Sequence, residues 1–197
     1  MSRPRFVAVM VGLAMVLAGP TAAAGAPSGN ALGHTVRFDV IQFAQGSVIL
    51  AGGSALAEDH ATHDTVAVTA TGQFKPGTGD AAGGGTFTHR HADGSLVASG
   101  VWVANSVASW ATAQGNLAGF GLTDGIGHLG DVTGGIVFLN VTLLPDGGGS
   151  LRAVLGIHCV LNDGTDPSVV EGVSVEVGRF HFEQVAEEGA TLFHVLR

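Results

Sequence analysis

The stretch from Gly83 to Trp110 (GGGTFTHRHADGSLVASGVWVANSVASW) constrains this chain more than any other. Two alternating runs flank Asp93-Gly94. That dipeptide predicts a two-residue hairpin of type I′, a turn that needs positive φ at both central residues. With the turn centred there, His91 pairs with Leu96, His89 with Ala98, Phe87 with Gly100 and Gly85 with Trp102. Side chains alternate along a strand, so these residues share one face. Phe87 and Trp102 each lie over a glycine, which marks that face as the core side. Thr86, Thr88 and Arg90 take the other face, opposite Val101, Ser99 and Val97.

Strand patterns recur on either side. Thr35 to Phe43 alternates, with Val36, Phe38 and Val40 together, and Ser47 to Ala51 continues as a short strand. Gly52 to His63 breaks the pattern and reads as a loop. Asp64 to Phe74 places Val66, Val68, Ala70 and Phe74 inward, and Ser106 to Gln114 reads as a separate strand carrying Trp110. Gly115 to Gly135 is so rich in glycine that a long mobile loop is expected. Ile136 to Leu144 and Ser150 to Leu161 form a second hairpin across Pro145-Asp-Gly-Gly-Gly149. Val169 to Val185 reads as one long strand with a bulge at Gly178, where the apolar parity changes. Ala190 to Leu196 closes the set. Short strands, turn-rich connections and the lack of an amphipathic helix predict an all-β fold. A single antiparallel β-barrel is preferred, with a sandwich or jelly roll as the alternative.

The first 26 residues read as a signal peptide: Arg3 and Arg5, then the apolar run Phe6 to Ala18, then small residues at Ala22-Ala23-Ala24. The apolar run is short of the roughly 20 residues that span a bilayer. Export by a Sec-type route to a secreted or periplasmic location follows, with no transmembrane segment after cleavage. Residues 27–33 form a flexible lead-in, and 34–197 a single domain. The signal holds two of the eight basic residues, leaving six against sixteen acidic ones, which disfavours nucleic acid and anionic membranes as partners. Cys159 is the single cysteine, so no internal disulfide forms and the thiol is expected to be buried and inert.

The sharpest chemical candidate is His89-Arg90-His91. Two imidazoles at i and i+2 on a strand project together and could chelate a divalent metal. Gly83 followed after five residues by His89-x-His91 resembles the opening of the first cupin motif, from a family of double-sheet barrels that are often metal-dependent. The likeness covers nine residues. Its acidic ligand would fall near Ser95 or Leu96, and the second motif is absent, so membership is not inferred. A third ligand would have to come through the fold from His158, His181, His60, His63 or Asp93. His60-Ala-Thr-His63 with Glu58, Asp59 and Asp64 reads as a solvated acidic loop, and His128 between Asp124 and Asp131 is a weaker cluster. Gly52-Gly-Ser54-Ala-Leu56 lacks the closing glycine of a nucleophile elbow. No glycine run ends in the Gly-Lys-Ser/Thr of a phosphate loop.

Two function classes emerge. One is a non-catalytic exported barrel that binds a small apolar ligand around Phe87, Trp102 and Trp110, or that serves an envelope interaction role. The other is a metal-dependent lyase, isomerase or oxygenase of cupin-like logic at His89 and His91.

Overall fold

A computed structural model describes residues 33–113, 115, 117, 119–161 and 169–196. The expected signal peptide and nearly all of the lead-in lie outside the described residues. The fold is all-β. Its strands are β1 (Thr35–Ala44), β2 (Val48–Ala51), β3 (Ala55–Asp59), β4 (Thr65–Val68), β5 (Thr71–Lys75), β6 (Asp80–Arg90), β7 (Leu96–Ala113), β8 (Thr123–Asp124), β9 (Val132–Pro145), β10 (Leu151–Cys159), β11 (Gly172–Val177), β12 (Phe180–Gln184) and β13 (Ala190–Leu196). Apart from the parallel β2–β8 contact, neighbours pair antiparallel, and the sheet closes on itself because β9 pairs with both β7 and β10. The result is a closed antiparallel barrel.

The closure contains two circuits. One runs β3, β4, β6, β7, β9, β10, β11, β12 and back to β3. The other runs β1, β5, β6, β7, β9, β13 and back to β1. They share β6, β7 and β9. The second circuit is filled with aromatic rings: Phe74 meets Trp110 and Phe193 edge-on, at 4.9 and 6.1 Å between centroids. Phe38 stacks on Trp102 at 6.5 Å and links the two interiors.

In the central hairpin, Gly85 pairs with Trp102, Phe87 with Gly100 and His89 with Ala98, as the glycine–aromatic pattern requires. A Cβ on Gly85 would run into the Thr69 carbonyl oxygen and lie 2.8 Å from Trp102 Nε1, so only glycine admits the indole there. Nearer the turn the expectation fails. Arg90, not His91, pairs with Leu96, across a bulge that leaves Val97 as the extra residue. Gly94 alone of the turn residues has positive φ, +82°. The turn is therefore not type I′. Asp93 instead accepts hydrogen bonds from Ser95 N and Oγ, which hold the chain in a wider loop closed by His91 N donating to Ser95 O.

Other differences have similar local causes. The expected loop at 52–63 contains β3, whose inward residues are Ala55, Ala57 and Asp59, too small or too polar to read as a strand face. The expected 64–74 strand divides at Thr69–Ala70. There Thr69 O accepts from Trp102 Nε1 and Ala70 O from Val40 N, so the outer partner changes from β3 to β1. β7 is one continuous strand through Trp110, with bulges at Asn105 and Ala108 that shift its parity. The described part of the glycine-rich segment is tied down, since Thr123 N donates to Ser47 O and Gly125 N to Ile49 O. Finally, β11 and β12 pair with each other, Val177 opposite Phe180, so the parity change at Gly178 (φ +60°) is a hairpin turn and not a bulge.

Candidate functional site

The chain direction sends the turns at 60–64, 91–95, 146–150 and 178–179 to one end of the barrel. Under them the first circuit is hollow, with a cavity of about 370 Å³. Pro145, Leu151, Gly178 and Arg179 stand at the turn end. Val68, Trp102, Val141 and Leu155 lie farther along their strands and line its inner part. The wall is completed by apolar residues including Val66, Phe87, Ala98, Val175, Phe180 and Phe182. Among the described residues, the lining side chains with polar groups are His89, Arg152, Arg179 and Trp102. Trp102 is buried with its indole N–H satisfied by Thr69 O at 2.9 Å.

Of the aromatic residues singled out from sequence, Phe87 and Trp102 line this cavity. Trp110 does not. It packs between Phe74 and Phe193 in the second circuit, where its Nε1 is buried without a hydrogen-bond partner among the described residues.

His89 and His91 do come together, but on a carboxylate. His89 Nε2 lies 3.0 Å from Asp64 Oδ2, and His91 Nδ1 lies 3.2 Å from both Asp64 oxygens. The β4–β6 register produces this: Val66 pairs with His89, which carries Asp64 to the position beside His91. Burial works to raise the Asp64 pKa, yet hydrogen bonds from the two imidazoles outweigh it and hold the carboxyl below its ordinary value. The His89 ring packs edge-on against the stacked pair Phe180 and Phe182, at 5.3 and 5.2 Å, and its side chain is 13% exposed against 57% for His91. Asp64 was missed as a partner because it lies 25 residues before His89, and only strand pairing brings the two together.

The candidate third ligands are elsewhere. His158 sits on the outer face beneath Gln184 Nε2, at 2.7 Å, and burial pushes its pKa down to about 4. His63 pairs with Glu58 at 2.7 Å and His60 with Glu183 at 3.4 Å. Asp93 is engaged by Ser95, and His181 N donates to Asp59. Among the described residues, no three His, Cys, Asp or Glu side chains are disposed to hold a metal ion. A metal held by His89 Nε2 and His91 Nδ1 would take the place of their hydrogen bonds to Asp64. Cys159 is buried, and burial pushes its thiol pKa up. Compared with known proteins, the chain matches no family model, no curated protein and no solved structure.

Proposed function

We propose that this protein binds a small, mostly apolar molecule in the barrel cavity without transforming it. The cavity itself carries the reading. Its volume falls within the ~300–1,000 Å³ typical of small-molecule sites, and its wall is apolar with few polar groups. The N-terminal segment supports a role outside the cytoplasm, as a carrier or receptor exported through its signal peptide. N-terminal sequencing of the protein recovered from the producing cells and their medium tests that part.

Trp102 supplies the binding assay. In a Trp110→Phe variant, Trp102 is the single tryptophan and lines the cavity. Titration with an apolar probe should change its emission saturably at one equivalent. Ala98→Phe, placed opposite His89, should fill the cavity and weaken probe binding at least tenfold while the far-UV spectrum stays that of the parent. Emission that never saturates, or binding untouched by Ala98→Phe, would refute the proposal.

A further inference from the structure

Besides Arg152, Arg179 and Trp102, the described lining carries one side chain with polar groups, His89, whose chemistry restricts what the ligand can be. His89 lines the cavity, and its Nε2 is committed to Asp64. Its other nitrogen, Nδ1, has no hydrogen-bond partner among the described residues. It is also not among the buried, sealed atoms, which are Trp110 Nε1 and His194 Nδ1. Nδ1 therefore keeps accessible surface on a residue that is otherwise largely enclosed.

The proton position follows from the partner. Asp64 is held in its ionised form by the two imidazoles, and an ionised carboxylate only accepts hydrogen bonds. The Nε2 that faces it must then carry the proton. In a neutral imidazole this leaves Nδ1 as a lone-pair acceptor. The ring cannot turn to offer the other nitrogen without breaking the bond to Asp64.

We infer that the ligand is an apolar molecule bearing a hydroxyl group, and that His89 Nδ1 accepts the hydrogen bond from that hydroxyl. This rests on the binding reading above and sharpens it. A ketone or ester of the same size offers only acceptors, so against Nδ1 it would place lone pair against lone pair. A hydrocarbon would leave Nδ1 desolvated without a partner. The apolar wall excludes water from making good either loss. Asp64 acts here as a positioning residue that fixes the tautomer and the ring, as carboxylates do for other functional histidines.

The test uses the mature protein and three probes of equal chain length, 1-decanol, 2-decanone and decane, titrated against Trp102 emission in the Trp110→Phe background. The alcohol should bind about tenfold more tightly than the ketone. In His89→Phe the alcohol should lose that advantage while decane still binds. Imidazole ¹⁵N shifts provide a readout that needs no second variant. His89 should show a protonated Nε2 and a bare Nδ1, and the Nδ1 signal should move with the alcohol but not with decane. Saturable binding of all three without an alcohol preference, or a proton found on Nδ1, overturns this inference and leaves the cavity reading standing. Failure of every probe to bind overturns both.

Discussion

Glu171 lies where the end of β10 meets the start of β13, and its carboxylate accepts from Val160 N, Thr191 N and Thr191 Oγ. Burial raises its pKa from 4.5 to about 7, against those hydrogen bonds, which favour the charged form. The folded protein thus keeps a proton between pH 4.5 and 7 that the unfolded chain has released. Its contribution to stability is full below 4.5 and falls as pH rises through that window, by about 3 kcal/mol. His158 works in the opposite direction. Its folded pKa of about 4 lies below the ordinary 6.5, so stability rises as pH climbs between those values. The two slopes offset one another in the parent protein and separate only in variants. Relative to the parent, Glu171→Gln should gain about 3 kcal/mol between pH 4.5 and 7.5, measured by urea unfolding at each pH. Asp64 and Asp124 are held below their ordinary values, so what they contribute is present above pH 3.8 and lost as pH falls through their folded values. Acid unfolding should accordingly begin in that range. None of this could be read from spacing. Glu171 meets Thr191 only because β10 and β13 follow one another along β9, a relation that local sequence does not encode.

Among the elements, the central hairpin was legible and its tip was not. Each step from Gly85 to Ala98 is fixed by a ring that needs a missing side chain opposite, a constraint that sequence displays directly. Gly85→Ala should cost about 2 kcal/mol or more and shift Trp102 emission, because the new methyl meets a backbone carbonyl that cannot move aside. Recovery of parental stability in denaturant would contradict that account. The tip depends on whether Asp93 takes positive φ or a side-chain bond to Ser95, and the dipeptide permits both. β3 stayed hidden for a different reason. Asp59 is buried yet satisfied by Ala61 N, Thr62 N, Thr62 Oγ and His181 N, so a carboxylate occupies a core position that hydrophobic periodicity would assign to an apolar residue. At Gly178, parity reversal was visible, but a bulge and a two-residue turn reverse parity alike. Which of them occurs is decided by the pairing of β11 with β12.

At the scale of the whole molecule, the cavity leaves apolar wall that a guest of matching shape would cover. Filling the cavity should therefore raise the melting temperature. At a hundredfold excess over Kd, a bound ligand contributes about 2.7 kcal/mol, or roughly 5–10 °C for a chain of this length. A calorimetric scan with and without 1-decanol checks this, and an unchanged midpoint at saturating probe would count against occupancy of the folded state. The barrel was foreseeable from its many short strands, but its division into two circuits was not, because β6, β7 and β9 each serve both. That shared wall has an evolutionary corollary. Phe38, Phe74, Trp110 and Phe193 pack one compartment with their own rings, so on the proposed reading the residues facing the other answer to the guest rather than to the scaffold. Exchanges at Ala98, Val175 or Phe180 would then retune which molecules the proposed site admits, while the architecture around them is inherited unchanged.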